Sequence, residues 1–129
     1  MTKTTSVQSA EVFAKLWVHE CSRVFHDRLI NNHDREFFKE KIIDLIKTKF
    51  KINWNKEDIF EGKNTIIFSM LLRLEAEEKI YEEISDKNKL FKVLEDKLTD
   101  YNLSMTNKMD LVFFEDAINH ICRISRILR

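Results

Sequence analysis

Residues 109–129 of this 129-residue chain read MDLVFFEDAINHICRISRILR, and the stretch has the pattern of one amphipathic helix. Its apolar side chains recur at three-, four- and seven-residue spacing and would share one face of a helix. These residues are Leu111, Phe114, Ile118, Ile121 and Leu128. Acidic residues stand near the start and arginines near the end, which the helix dipole favours. The sequence predicts a helix from Met109 to Arg129, and because no helix-closing residue follows, we expect a piece of something longer.

The composition of the whole chain also favours helices. There is one glycine, Gly62, and no proline, and strand-rich folds need more turn formers than that. Hydrophobic residues make up 43% and charged residues 34%, which is typical of a folded domain rather than a disordered or membrane protein. The 22 basic and 22 acidic residues cancel, so neither nucleic acid nor a membrane is an expected partner. We predict an all-α multi-helix bundle of five to six helices with little or no strand.

Three more helical patterns precede the C-terminal one. The first extends from Ala10 to about Leu29, the second from about Arg35 to Phe50 after an N-cap at Asp34, and the third over 87–101. The residues expected to face inward in the first helix are Phe13, Leu16, Trp17, Cys21, Val24 and Phe25. Those in the second are Phe38, Ile42, Leu45, Ile46 and Phe50, and those in the third are Leu90, Phe91, Leu94, Leu98 and Tyr101. Asp86 is the expected N-cap of the third helix.

The apolar run TIIFSMLLRL at residues 65–74 is the one segment that could also be a buried strand. No second strand pattern is available to pair with it. We therefore expect buried helix or coil there.

The sequence contains no recognisable catalytic constellation. With one glycine it cannot form the phosphate loop G-x-x-x-x-G-K-[ST]. His19 and Cys21 would point about 200° apart on a helix, so with His26 they would not converge on a zinc ion. Cys21 and Cys122 lie within helical patterns, where small buried thiols are commonly inert, and without a secretory signal they indicate a reducing compartment. We expect no catalytic residue and no metal ligand, and we expect His19 to make a structural hydrogen bond.

Two stretches resemble the dynein heavy chain family. Residues 16–29 contain LWVHE and RVFHDRL, and residues 111–128 contain LVFF, AINH and RISRIL. Both are similar to dynein signatures, in that family's order and at about its spacing. The later one resembles axonemal more than cytoplasmic dyneins. A Phe-Gly-Asp-like turn of the family is not reproduced by FSM at residues 68–70.

The resemblance implies a place for this chain in a motor ring. Residues 10–106 would be the helical lid of the third AAA+ module, and residues 107–129 a helix leading toward the fourth module. Residues 1–9 are polar and rich in Thr and Ser, and from that composition we expect a flexible segment. The chain itself would be a non-catalytic coupling piece without a cofactor, whose partners are the neighbouring AAA+ modules. The parent motor would hydrolyse ATP to ADP with Mg²⁺ and bind microtubules and dynein light and intermediate chains. Its place would be cytoplasmic, on the cytoskeleton, with the ciliary or flagellar axoneme as the specific expectation.

Arg23 is the nucleotide-sensing candidate that the resemblance implies. AAA+ lids contribute a sensor 2 arginine that reaches nucleotide phosphates, and a guanidinium fork suits phosphate oxygens. Arg28 is the alternative candidate. For either residue the competing interpretation is an ordinary salt bridge at the surface.

A second hypothesis comes from another class of protein: a free-standing helical module that binds a protein partner in an exposed apolar groove. The length of the parent open reading frame distinguishes the two hypotheses.

Overall fold

The structure is a computed structural model that describes residues 9–60, 65–73 and 80–128. Within these residues it contains five α-helices and one small antiparallel sheet, so the predicted all-α class with little strand is confirmed. The helices are α1 (Ala10–Val24), α2 (Asn32–Leu45), α3 (Lys56–Phe60), α4 (Lys87–Ser104) and α5 (Glu115–Ile127). The strands are β1 (Phe68–Ser69) and β2 (Glu82–Glu83). No helix in these ranges is long and apolar enough to cross a membrane.

The chain divides into two compact units between Ile67 and Phe68. The first unit contains α1, α2 and α3, and the second contains the sheet, α4 and α5. The domain boundaries expected after residues 9 and 106 stay predictions. Residues 1–8 of the expected flexible segment, Gly62 and Arg129 lie outside the described residues.

Helix α1 begins at Ala10, as predicted, because the side chain of Ser9 caps it. The Ser9 hydroxyl accepts a hydrogen bond from the Val12 amide at 3.2 Å. The helix ends at Val24, and a short 3₁₀ helix follows at His26–Arg28 in place of the predicted continuation to Leu29.

The inward face of α1 is rotated from the predicted one. Its buried residues are Ala14, Val18, His19 and Ser22. Phe13, Val24 and Phe25, which we expected to face inward, are exposed. Small residues allow the helix backbone to approach its neighbours closely, whereas the hydrophobic pattern weighs polarity and ignores size. The Ser22 hydroxyl is satisfied within the helix by donating to the Val18 carbonyl at 2.8 Å.

Helix α2 begins three residues before the predicted start at Arg35, and its N-cap is Asn31 rather than Asp34. The Asn31 side-chain oxygen accepts from the Asp34 amide at 2.8 Å, and its NH₂ group donates to the Asp34 carboxylate at 2.8 Å. This reciprocal pairing favours Asn31 as the cap. Beyond Leu45 the helix widens into one π-helical turn at Ile46–Phe50, which ends at Lys51 in the left-handed region with φ of 58°.

The core of the first unit is formed by Val18, Ile42, Ile46 and Ile59. Trp17 and Trp54 are among the partly buried residues packed against it. The predicted inward positions of Ile42 and Ile46 are confirmed, but Leu45 is exposed. The core therefore joins α1, α2 and α3 through β-branched side chains that interdigitate.

A short strand interrupts the segment that we expected to be helix or coil. Phe68 lies opposite Glu83 and Ser69 opposite Glu82 in an antiparallel pair. Next to the sheet, the Arg73 guanidinium binds the Glu82 carboxylate through two hydrogen bonds of 2.9 and 3.3 Å. The expectation was wrong at residues 68–69 because the partner strand is an acidic dipeptide that carries no strand pattern.

Helix α4 follows the prediction at its start and extends three residues further. The Asp86 carboxylate accepts from the amides of Asn88 and Lys89 at 3.0 and 3.3 Å, which confirms the N-cap. Leu90 and Leu94 are buried, as expected. The helix ends at Ser104 instead of Tyr101.

Helix α5 begins at Glu115, six residues after the predicted start at Met109. Leu111 and Phe114 are 50% and 59% exposed and do not belong to its buried face. That face is formed by Ile118 and Cys122. Phe114 is extended, with φ of −127° and ψ of 167°, and the aromatic and β-branched residues before α5 favour extended backbone.

Side-chain contacts hold this extended segment and α5 in the second unit. The Asn102 amide group pairs with both backbone groups of Met109, accepting from its N–H at 2.8 Å and donating to its carbonyl at 2.9 Å. Lys87 forms an ion pair with Glu115 in the first turn of α5. Near the other end of α5, the Arg126 guanidinium lies 4.3 Å from the ring centre of Tyr81, a cation–π contact.

Candidate functional site

The candidate residue Arg23 lies in the last turn of α1, in the first unit. Its Nε lies 3.3 Å from Oδ2 of Asp27, four residues further along the chain. The side chains of Arg23 and Asp27 are 27% and 20% exposed. The pair forms because the chain stays helical after α1, so that residues four apart share one side. Arg23 is therefore a partly buried cation at the rim of the first unit, not a freely solvated one.

Arg28, the alternative candidate, has a different environment. It closes the short 3₁₀ helix, and its residue is exposed. Its backbone amide donates to the Phe25 carbonyl at 3.2 Å. The structure thus separates the two arginines by exposure, while the nucleotide-sensing role of either one stays a prediction.

His26 lies beside the Arg23–Asp27 pair. Its ring packs against the Phe38 ring of α2 with the centroids 5.5 Å apart, and its Nδ1 lies 4.0 Å from Oδ1 of Asp27. Burial lowers the pKa of His26 below its ordinary value, and the cations of Lys39, Arg35 and Arg23 lower it further, against an opposing effect of Asp27. The environment therefore favours the neutral imidazole.

Two cations of α2, Arg35 and Lys39, also lie near His26. The Arg35 Nε donates to the Leu29 carbonyl at 3.0 Å, which ties α2 to the chain that leads into it. The Lys39 ammonium donates to the Glu36 carboxylate at 2.6 Å. Hydrogen bonds from Lys39 and Lys56 hold the pKa of Glu36 below its ordinary value.

Arg23, His26, Asp27, Arg35 and Lys39 form a mixed-charge cluster in which Arg23, Arg35 and Lys39 each contact a carboxylate or carbonyl oxygen. Arginine and lysine donors suit phosphate oxygens, and His26 is kept neutral. The Cys21 thiol on α1 has its pKa raised by burial and by Glu20, which disfavours the nucleophilic thiolate. Across the described ranges, no group of three or more His, Cys, Asp and Glu side chains could hold a metal ion.

His19, next to this cluster on α1, has the structural role that we predicted. The residue is buried, and its Nδ1 lies 3.2 Å from the Ile66 carbonyl oxygen, 47 residues away in sequence. The contact fixes the chain after α3 against α1. His19 therefore supports the fold of the first unit.

Comparison with known proteins assigns the chain to a family. Dynein axonemal heavy chain 6 of Homo sapiens is 42% identical over 117 residues, which cover 89% of this chain. Dynein axonemal heavy chain 1 of Mus musculus is 37% identical over 129 residues and covers all of it. By homology, the chain is a dynein heavy chain segment. The alpha chain of the flagellar outer arm dynein of Chlamydomonas reinhardtii is 35% identical over 99% of the chain.

These relatives confirm the family that the two motifs indicated, and their names confirm the axonemal leaning of the resemblance. No protein-family model matches the chain. The chain spans about 3% of the length of each of the three relatives. What a complete dynein heavy chain does is therefore not a property of these 129 residues alone.

In this dynein segment the site contains residues that sequence reasoning missed. Asp27 could have been found, since it stands four residues after Arg23 within a helical pattern. Arg35 and Lys39 could not, because only the packing of α2 brings them toward His26. The predicted sensor candidate thus has an acidic partner from the 3₁₀ helix that follows α1 and basic neighbours from α2.

Proposed function

We propose that this chain is the non-catalytic helical lid of the third AAA+ module of an axonemal dynein heavy chain, with the lead-in to the fourth module. The observation that supports it is the homology to axonemal heavy chains over 89 to 100% of the chain. In the parent protein, the AAA+ modules would bind ATP or ADP with Mg²⁺ and hydrolyse ATP. The work would be done on microtubules of a cilium or flagellum, with dynein light and intermediate chains as further subunits.

Arg23 is the residue through which this lid would sense nucleotide. A guanidinium offers several N–H donors in a fixed plane, so it can bind two phosphate oxygens at once. The partly exposed position at the end of α1 leaves it accessible to a neighbouring module. The helix that carries Arg23, α1, is held in the core of the first unit through Val18, which packs in one cluster with Ile42 and Ile46. Phosphate binding at Arg23 would therefore act on a packed pair of helices, which can pass the change to the adjacent module.

The test uses the motor domain of an axonemal dynein that carries this segment, with its other nucleotide sites blocked. A fluorescent ADP analogue reports affinity at the third module. Arg23→Ala should weaken binding by about ten- to a hundredfold, since a hydrogen bond to a charged group contributes about 1.5–3 kcal/mol.

Two further variants make this experiment decisive. Arg73→Ala is the matched control, because Arg73 is an arginine in a carboxylate ion pair of the second unit, and it should leave affinity unchanged. Weakening by Arg28→Ala but not by Arg23→Ala would transfer the sensor role to Arg28. If neither variant weakens binding, the nucleotide-sensing role is wrong.

The alternative function is a free-standing helical module that binds a protein partner. Exposed apolar residues of the first unit favour it, with Ile30 94% exposed and Phe37 and Phe25 more than half exposed. The length of the transcript that encodes the chain distinguishes this module from the dynein segment. A message for several thousand residues supports the motor, and one that stops near residue 129 supports the module.

A further inference from the structure

The Asp27 carboxylate lies between two basic side chains. Its Oδ2 is 3.3 Å from Arg23 Nε, and its Oδ1 is 4.0 Å from His26 Nδ1. The side chain of Asp27 is 20% exposed, although the residue as a whole is exposed, so solvent screens this pair less than a fully exposed one. The carboxylate is thus placed to fix the direction of the arginine side chain.

The atom that Asp27 contacts matters. Nε is the inner nitrogen of the guanidinium group, next to the aliphatic stem. The contact at Nε is an ion pair rather than a hydrogen bond, and it favours side-chain torsions that keep the guanidinium beside the carboxylate. The two outer nitrogens lie further along the same plane. An arginine has about 2 kcal/mol of rotamer entropy, and part of this is lost whenever it orders around a ligand. Restraint before binding lowers that cost.

His26 keeps the carboxylate available for Arg23. Its position against Phe38 disfavours the charged imidazole, so His26 does not compete as a second full cation for Asp27. Arg35 and Lys39 of α2 add positive charge to the same neighbourhood.

We propose that Asp27 is a positioning residue that holds Arg23 in the direction required to bind the phosphate groups of a nucleotide. The proposal rests on the nucleotide-sensing role given to Arg23 under the proposed function. It adds that the ion pair at the end of α1 orients the sensor in addition to any effect on the stability of the fold.

The experiment uses the same axonemal motor domain and the same fluorescent ADP analogue at the third module. Asp27→Asn should weaken binding by about two- to fivefold, the range that an ion pair of about 0.5–1 kcal/mol gives. Asp27→Glu keeps the carboxylate and should restore most of the affinity. In an Arg23→Ala background, Asp27→Asn should have no further effect, because the residue to be positioned is absent.

Asp100→Asn is the matched control. It removes a carboxylate from another helical ion pair, the one between Lys97 and Asp100 in α4, and should leave affinity unchanged. Urea denaturation of each variant measures any loss of stability separately from loss of binding.

Each remaining result refutes a defined part of the reasoning. Unchanged or tighter binding by Asp27→Asn, with Arg23→Ala still weakened, rejects the positioning role and leaves the sensor role intact. An equal loss from Asp27→Asn with and without Arg23 assigns Asp27 to fold stability alone. If Arg23→Ala leaves binding unchanged, both roles are wrong.

Discussion

Replacing Trp17 by alanine tests the packing of α1 most directly. The Trp17 indole packs against the core of the first unit, and its ring centre lies 5.5 Å from that of Phe50, with the planes tilted by 44°. A fully buried tryptophan replaced by alanine costs about 3–5 kcal/mol. Trp17 is only partly buried, and removal of roughly 100 Å² of contact at about 25 cal/mol per Å² gives about 2.5 kcal/mol. With a partial cavity, we expect a loss of about 2–4 kcal/mol in the free energy of unfolding.

The contribution of the Phe50 contact can be separated by a double-mutant cycle. Trp17→Ala, Phe50→Ala and the double variant should give a coupling energy of about 0.5–1.5 kcal/mol, the value typical of an aromatic pair at this distance and tilt. Urea unfolding followed by fluorescence is suitable. Trp54 packs against the same core and continues to report on the first unit after Trp17 is removed.

Phe37→Ala is the matched control, because Phe37 is an aromatic residue of the same unit that is 57% exposed. Its removal should cost less than about 1 kcal/mol. A Trp17→Ala loss no larger than that of Phe37→Ala would refute the packing of α1 described above. A coupling energy near zero would refute only the Trp17–Phe50 contact.

Two other predictions concern pH and the segment before α5. The pKa of His26 is lowered in the folded state, so the unfolded chain binds more protons as pH falls below about 6.5, and the free energy of unfolding should fall there. His26→Gln should reduce that fall in denaturation measured at several pH values, whereas His33→Gln, at a side chain 92% exposed, should not. Asn102→Ala removes both hydrogen bonds to the Met109 backbone, so the free energy of unfolding should fall by about 1–2 kcal/mol and amide hydrogen exchange at Met109 should become faster. Unchanged exchange would contradict the role given to these two hydrogen bonds.

Features set by local interactions were predictable from the sequence. The start of α4 follows from Asp86 because an N-cap needs only the two or three residues after it. The start of α1 at Ala10 was predicted from the helical pattern alone, and its cap, Ser9, was not named. At α2 the same rule selected the wrong residue, since Asn31 and Asp34 are both good caps and only their mutual hydrogen bonds decide between them.

Features set by distant partners were not predictable. The pairing of Phe68 with Glu83 joins an apolar run to an acidic dipeptide, and neither segment has a periodicity that predicts this strand pair. The extended segment before α5 has apolar spacing that fits a helix, but the Asn102 side chain binds the backbone of Met109 and keeps it out of one. Sequence periodicity indicates which side chains could share a face. It contains no information on backbone groups whose hydrogen bonds are made by a side chain of another helix.

The candidate site shows the same division. Arg23 was found through the family resemblance and Asp27 was within reach of helical spacing, whereas the α2 cations depend on how α2 packs.

This packing limits what the site can do. Arg35 binds the Leu29 carbonyl, and the Phe38 ring packs against His26 with the ring planes tilted by 54°, so the turn between α1 and α2 is held at two points close to Arg23.

Arg23 therefore lies beside a turn that two contacts hold in place, so a phosphate that binds Arg23 would act on α1 and α2 together. Within the proposed lid, we infer that the response is a joint shift of α1 and α2, because a shared core at Val18 and Ile42 resists their separation. Hydrogen exchange in the motor domain distinguishes the two responses. A joint shift should change protection at α2 amides near Ile42 when ADP binds, and should fail to do so in Arg23→Ala. Protection that changes only around Arg23 itself would mean that the arginine moves alone and that the lid transmits nothing through α2.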